Sequence, residues 1–253
     1  MPRQPLFDLP YSPEWGYDER FFHDVEHRYT KMHRLLRERW GEPAGKRVVD
    51  LGSSRGLFLA RFSESELAGI EIDPEERRRG AEHGVEAVEH FINAFDGNRL
   101  TARLPFEDAS ADVVLAGEII EHIVDTEAFL REIARVLRPG GALVLSTPNI
   151  LWWKHRVALL LGRYPDALDY RTRYGDDFGH VRIFTPKLMR ELLEETGFVD
   201  VAVVGKRLGP ISSLTRAPAA VARSLDRLAD RLPSLSDHLI AFARRSAPSG
   251  SDP

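Results

Sequence analysis

The chain has 253 residues, of which 43% are hydrophobic and 29% charged, a composition typical of a soluble globular protein with a substantial core. Its formal net charge of −4 gives no general attraction to nucleic acid or to an anionic membrane, so any such affinity would have to be local. There is no cysteine, which excludes disulfides, thiolate metal ligands and cysteine nucleophiles. The N-terminus lacks the apolar segment of a signal peptide, and no stretch reaches the ~18 apolar residues of a spanning helix, so we expect a cytoplasmic protein.

The first 46 residues differ in pattern from the rest. Residues 1–16 are rich in proline and predict an extended arm. Aromatic and aliphatic residues at roughly helical spacing between positions 17 and 40 predict one or two helices, which the stretch GEPAG ends. We therefore expect residues 1–46 to form an arm and a helical cap.

Strands and helices alternate in the region that follows. Strands are predicted at 47–51, 67–72, 87–92, 113–116, 142–147, 199–204 and 238–243, and helices at 56–62, 73–83, 126–137, 185–196 and within 208–233. This alternation is typical of βαβ units and predicts a doubly wound, Rossmann-like α/β domain over residues 47–245. Residues 150–182 interrupt it as an insertion that could cap a substrate, and the polar residues 246–253 are predicted to be disordered.

A glycine-bearing turn, VVDLGSSRG, joins the first predicted strand to the next helix. Gly52 and Gly56 would let the backbone approach a ligand closely at the carboxyl edge of the sheet. Glu71, at the end of the second strand, could accept both hydroxyls of a ribose. Asp50 enters the turn and would repel a pyrophosphate, which favours S-adenosylmethionine over a dinucleotide. A turn that merely connects strand and helix is the remaining alternative.

Two carboxylates and an imidazole follow the fourth strand in the stretch AGEIIEHI. On an α-helix, Glu118, Glu121 and His122 would share one arc of about 100°, with the isoleucines on the opposite side. His122 could act as a general base oriented by Glu121. The three could instead bind Mg²⁺, Mn²⁺ or Zn²⁺. A third alternative is a solvated face whose glutamates interact favourably with the helix dipole.

Three segments together carry a resemblance: VVDLGSSRG, GIEIDPE, and the run from LPFEDASADVVLAGEIIEHI to LRPGGALVLSTPN. In this order and spacing they resemble the class I S-adenosylmethionine-dependent methyltransferases, over residues 47–149 and less fully over 180–204. The resemblance implies a seven-stranded sheet, mostly parallel with an antiparallel last strand, and helices on both faces. It implies a cofactor site whose residues are Asp50, Gly52, Ser53, Gly56, Glu71, Ile72, Ala116 and Gly117.

The sequence also departs from the family pattern. Arg55 stands where a small residue is usual, so a charge could occupy the turn, as in a binding protein that keeps the fold without catalysis. The resemblance gives Asp96, or alternatively Asn98, as the acid that contacts the adenine amino group.

The Glu-x-x-Glu-His pattern is similar to that of the ubiquinone-pathway O-methyltransferases and of the small-RNA 3′-terminal 2′-O-methyltransferases. In the latter family a downstream histidine completes a metal site, and His180 stands at the matching place. The resemblance thus implies a possible metal set of Glu118, Glu121, His122 and His180, binding Mg²⁺ or another divalent cation.

Acceptor specificity is expected from the residues outside the shared motifs. The stretch 150–164 (ILWWKHRVALLLGRY) combines tryptophans and leucines with cations, so it could wrap an apolar substrate, contact a membrane surface or stack nucleic-acid bases. It could equally pack its own leucines on the core. Because no further basic cluster extends it, the sequence favours a small or lipid-like acceptor over RNA, and O-methylation of a hydroxyl over a non-catalytic binding role.

Overall fold

The computed structural model describes residues 19–62, 64–82, 84–92, 95–96, 99–100, 103–165, 180–208 and 219–247. The predicted arm at 1–16, Asn98 and the last six residues lie outside this part of the chain. Of the predicted disordered tail, Ser246 is described and donates its backbone N–H to the Gly197 carbonyl at 3.0 Å.

Most of the helices begin and end close to the predicted positions, whereas the one at Trp153–Leu160, inside the expected insertion, is not among those predicted. The helices are α1 (Glu19–Trp40), α2 (Pro74–Glu82), α3 (Thr126–Val136), α4 (Trp153–Leu160), α5 (Pro186–Glu195) and α6 (Ala219–Arg231), with 3₁₀ turns at Leu59–Phe62, Ile120–His122 and Pro233–Leu235. Side-chain caps fix two of the starts: Asp125 accepts the Ala128 N–H, and Thr185 accepts the Leu188 N–H. The helix predicted at 56–62 is wrong, since the described chain there forms turns and the short 3₁₀ segment.

The strands form one large sheet and a small hairpin. They are β1 (Arg47–Leu51), β2 (Glu66–Ile70), β3 (Glu86–Val88), β4 (Phe95–Asp96), β5 (Arg99–Leu100), β6 (Ala111–Gly117), β7 (Leu137–Pro148), β8 (Phe198–Gly205) and β9 (His238–Arg245). The seven-stranded sheet has the order β3-β2-β1-β6-β7-β9-β8, and β9 runs antiparallel to both of its neighbours. The predicted doubly wound sheet with an antiparallel last strand is therefore confirmed.

Helices cover both faces of the sheet, as the side-chain alternation within the strands shows. Val114 belongs to a core cluster with Phe129 of α3 and Leu193 of α5, whereas its neighbour Val113 belongs to a cluster with Met32 of α1. Successive strand residues point to opposite faces, so these clusters are the two sides of the sheet. Helix α1 thus packs on the sheet itself.

One edge of the sheet gathers the polar residues singled out in the sequence. The parallel strands β1, β2 and β6 end there at Leu51, Ile70 and Gly117, and the antiparallel β9 begins there. The loops that leave these ends carry the glycine turn and the EIIEH stretch, so the fold brings both to one place. None of the helices in the described residues has the length and hydrophobicity needed to cross a bilayer.

Candidate active site

The glycine turn is held against the end of β2. Gly52 and Gly56 have φ values of 76° and 79°, in the left-handed region that glycine adopts without strain. The N–H groups of Gly52 and Ser53 both donate to the Ile70 carbonyl, at 2.9 and 2.8 Å. Asp50 enters this turn almost completely buried, and burial together with the charge of Glu71 raises the pKa of its carboxyl well above the ordinary value.

Glu71 bridges the two loops at this end of the sheet. Its carboxylate accepts the Ser54 N–H from the glycine turn and the Asp73 N–H from the following loop, both at 2.8 Å. The next residue, Ile72, is 53% exposed, and Val88 on β3 is also exposed. The carboxylate and an apolar surface therefore lie side by side at the ends of β2 and β3.

Arg55 does not place its charge in the turn. Its guanidinium contacts the Glu76 carboxylate on α2, with Nη2 at 2.6 Å from Oε1 and Nε at 2.9 Å from Oε2. The charge that the sequence suggested as an occupant of the turn is directed onto α2. Arg55 is thus no indication against ligand binding.

Helix α1 reaches over the end of β6, which the sequence alone did not indicate. Ala116 is completely buried, and a Cβ at Gly117 would lie 3.3 Å from Cε1 of Tyr29 on α1. The Tyr29 ring stacks on Phe58, with centroids 4.4 Å apart and planes 7° apart. The spacing of aromatic residues in 17–40 indicates a helix that packs on the core, but it does not identify the residues that this helix contacts.

The α-helix assumed for EIIEH is wrong. Glu118 has a φ of 57°, and only Ile120–His122 forms a 3₁₀ turn. The reversal turns the Glu118 carboxylate towards Ser146 Oγ at 2.8 Å, Arg28 Nη1 at 3.3 Å and His238 Nε2 at 3.2 Å. Burial alone would raise its pKa, but the charges of Arg28 and His238 hold the pKa well below the ordinary value.

Glu121 has the opposite electrostatic environment. Its side chain is 1% exposed, and Oε2 accepts a hydrogen bond from Thr147 Oγ1 at 3.0 Å. Within the described residues, Oε1 is buried without any hydrogen-bond partner. Burial, followed by the negative charge of Glu118, raises the pKa of the Glu121 carboxyl well above its ordinary value.

Two histidines complete a cluster with Glu121. The rings of His122 and His180 meet edge to face, with centroids 4.9 Å apart, and both side chains are half-buried. One ligand atom from each of Glu121, His122 and His180 lies within 4.8 Å of the others. The N–H groups of Val181 and Arg182 donate to the Glu121 carbonyl at 2.9 and 3.0 Å, which fixes the His180 segment here. The fold brings together three of the predicted ligands and turns Glu118 to other partners.

The other predicted positions are less informative. Asp96 pairs with Arg99 in the β4–β5 hairpin. Helix α4 lies in the predicted insertion, but Leu159, Leu160 and Leu161 are exposed rather than packed on the core. The interpretation of these leucines as core residues is therefore wrong.

The fold and the glycine turn together define a class I methyltransferase domain. A family model described as a methyltransferase domain matches residues 21–203, which is more than half of the chain. The protein therefore belongs to the class I S-adenosylmethionine-dependent methyltransferase family.

Relatives and solved structures agree with this assignment. A Mycobacterium tuberculosis (strain ATCC 25618 / H37Rv) protein named "Probable S-adenosylmethionine-dependent methyltransferase" is 39% identical over 192 residues, 74% of this chain and 61% of the relative. A "Ubiquinone biosynthesis O-methyltransferase" of Bradyrhizobium sp. (strain ORS 278) is 30% identical over 126 residues, 48% of this chain and 47% of the relative. The chain thus spans at most about three fifths of the length of these relatives.

A solved "SAM-dependent methyltransferase" of Thermotoga maritima aligns with a TM-score of 0.62 over 90% of this chain and 94% of that chain. At 17% identity this likeness concerns the fold alone.

Proposed function

We propose that the protein transfers a methyl group from S-adenosylmethionine to a hydroxyl of a small or lipid-like acceptor, with assistance from a divalent cation. One contact carries this proposal: a Cβ at Gly52 would lie 3.0 Å from Ile119 Cδ1, so the glycine turn and the EIIEH stretch pack against each other. This contact supports assigning the glycine turn and the cluster of Glu121, His122 and His180 to one site.

The residues of the turn fit the methyl donor. Asp50 would face the cationic methionine end, and Glu71 the ribose hydroxyls, with Ile72 against the adenine. Ser53 Oγ is buried without a hydrogen-bond partner among the described residues, which suits a ligand that supplies one. When bound there, S-adenosylmethionine would supply a sulfonium-bound methyl group for the acceptor oxygen, with S-adenosylhomocysteine as the leaving group and the hydroxyl proton released to His122 or to water.

The cluster fits a divalent cation for a similar reason. A buried carboxylate oxygen without a partner is costly, and Glu121 Oε1 lies beside two imidazoles that can be ligands. A cation held by Glu121, His122 and His180 would supply a positive charge that lowers the pKa of an acceptor hydroxyl. Thr147 would orient Glu121 through its hydrogen bond. In the absence of a cation, His122 could itself accept the hydroxyl proton.

The surface around the two histidines favours an apolar acceptor. Val124, Val181 and Ile183 are 40%, 38% and 46% exposed, and all three stand within a few residues of the cluster. An aromatic or lipid-like molecule would cover them. The relative named as a ubiquinone biosynthesis O-methyltransferase supports an oxygen acceptor.

Calorimetric titration with S-adenosylmethionine tests the cofactor assignment. We expect the wild type to bind and Asp50→Asn to bind at least about 10-fold more weakly, because the variant cannot supply the carboxylate charge that a bound cation would favour at the methionine end. Asp108→Asn, which changes an exposed aspartate on another loop, is the matched control and should bind normally. Absence of binding at millimolar cofactor would contradict the proposal.

Mn²⁺ titration, followed by electron paramagnetic resonance, tests the cation site separately. Glu121→Gln and His180→Gln should each abolish high-affinity binding, whereas His33→Gln, on the face of α1 that meets Phe62, should not. If all three variants bind Mn²⁺ like the wild type, the cation is not held by this cluster. If the protein binds S-adenosylmethionine in that case, His122 remains as the general base for the acceptor hydroxyl.

A further inference from the structure

Helix α4 is firmly attached to the domain on one side. The Trp153 indole N–H donates to the Leu208 carbonyl at 2.9 Å, and Arg156 Nε donates to the Leu151 carbonyl at 2.7 Å. The His155 ring is buried, with Nδ1 3.0 Å from the Asn149 carbonyl oxygen. The orientation of the helix is therefore set by contacts with its own domain.

The outward side of α4 is apolar, the reverse of an ordinary surface helix. At about 100° per residue, Val157, Leu160 and Leu161, which directly follows the helix, share one arc, and they are 47%, 86% and 64% exposed. The opposite side carries the buried His155, with Leu159 beside it at 53% exposed. A helix that only covered a core would turn its leucines inwards and its polar residues to water. Within the described part of the chain these side chains keep much of their apolar surface uncovered, and this pattern favours contact with an apolar environment.

The charges around this face indicate which environment. Between Leu151 and Pro165 there is no acidic residue, whereas Lys154, Arg156 and Arg163 are cationic, in a chain with a net charge of −4. Lys154 Nζ lies 4.7 Å from the centroid of the Trp152 ring. Leucines flanked by tryptophan and basic residues are characteristic of segments that lie in a membrane interface.

We propose that the exposed face of α4, formed by Val157, Leu160 and Leu161, docks on an anionic phospholipid surface. The leucines enter the boundary between headgroups and acyl chains, and the neighbouring Lys154 and Arg163 contact lipid phosphates. A second copy of the chain is a poorer occupant, because two such faces would bring their cations together.

Docking would also orient the catalytic edge. Helix α4 follows the end of β7, and the loop that carries Glu121 and His122 follows the end of the parallel neighbour β6, so both leave the sheet at the same edge. If the proposed function holds, a lipid-like acceptor could then reach the site from the bilayer. The docking itself does not rest on the proposed function.

Co-sedimentation of the full chain with lipid vesicles tests the proposal without methyl donor, metal or acceptor, so its failure is distinguishable from that of the proposed function. We expect binding to vesicles of equal parts phosphatidylglycerol and phosphatidylcholine, weaker binding at high salt, and little binding to phosphatidylcholine alone. The double variant Leu160→Glu/Leu161→Glu should lose at least about 10-fold in affinity, since two carboxylates replace the most exposed leucines.

Leu188→Glu is the matched control, because it makes the same change at a 44% exposed leucine on α5 and should leave vesicle binding intact. Equal loss in the control would overturn the proposal. So would failure of the wild type to bind anionic vesicles. If light scattering shows a dimer that the double variant dissociates, and the protein does not bind vesicles, a second copy of the chain occupies the face. A drop in the Tm of the double variant, again without vesicle binding, would show that the chain itself covers the face. Either result overturns membrane docking.

Discussion

The Glu118 carboxylate lies 3.3 Å from the guanidinium of Arg28, which joins the loop after β6 to helix α1. Three residues later, Glu121 keeps one buried oxygen without a hydrogen-bond partner in the described part of the chain. The pKa of Glu118 is held low and that of Glu121 is raised. Two carboxylates of one short motif thus have different environments: Glu118 contacts α1, and Glu121 is the one that the proposed function assigns to a cation.

Glu118→Gln is therefore expected to reduce stability more than metal binding. Glu118→Gln removes one anion from a largely buried set of contacts: Arg28 and His238 each lose this charge, although His238 keeps Asp237 at 3.4 Å. We expect a loss of about 2–4 kcal/mol in the free energy of unfolding. Mn²⁺ affinity should stay within about threefold of the wild type, a small difference on the free-energy scale. Urea denaturation and Mn²⁺ titration check the two parts. Complete loss of Mn²⁺ binding in a folded variant would instead make Glu118 a ligand.

Gly69→Ala is expected to weaken cofactor binding. A Cβ at Gly69 on β2 would lie 2.6 Å from Ser53 Oγ and 2.8 Å from Ser53 Cβ, so the glycine turn would have to move. We expect S-adenosylmethionine affinity to fall about 10-fold by calorimetry. Gly80→Ala is the control: on α2 the nearest atom would be 3.5 Å away, and alanine should stabilise the helix by up to about 1 kcal/mol. Unchanged affinity in Gly69→Ala would show that the turn has room to adjust.

Arg55→Ala is expected to lower the stability of the protein while leaving its affinity for S-adenosylmethionine nearly unchanged. Its guanidinium pairs with Glu76 on α2, so the substitution leaves a partly buried carboxylate without this partner. We expect a loss of about 1–3 kcal/mol in the free energy of unfolding, and S-adenosylmethionine affinity within about threefold of the wild type. A large gain in affinity would mean that Arg55 does compete with the cofactor.

His238 makes stability depend on pH. Burial and the charge of Lys206 act to lower its pKa, but Glu118 and Asp237 outweigh them and raise the pKa above its ordinary value. The stabilisation from protonated His238 is fully present below about pH 6.5 and is lost as the pH rises through the folded-state pKa. The difference in unfolding free energy between wild type and His238→Gln should be larger at about pH 6 than at about pH 9. Urea denaturation at both values measures it, and a difference that grows with pH would reverse the assignment.

The sequence predicted the strands well because buried parallel strands are nearly continuous apolar runs. Residues 47–51 and 113–116, for example, fall within β1 and β6. The resemblance also predicted Glu118, Glu121, His122 and His180 as one set of ligands, and the last three lie together in the structure. The position of the Glu118 side chain could not be predicted from the sequence, because placing residues on a helical arc assumes that the segment is a regular helix. The left-handed φ of Glu118 breaks that period and is accompanied by contacts with Arg28 and His238, far away in the chain.

The bonds from the Val181 and Arg182 N–H groups to the Glu121 carbonyl use only backbone atoms. Their geometry is therefore independent of which side chains stand at positions 181 and 182. Substitutions of these two exposed side chains would therefore leave His180 attached beside His122. If the proposed function holds, the surface that meets the acceptor can change at these positions without moving the proposed ligands.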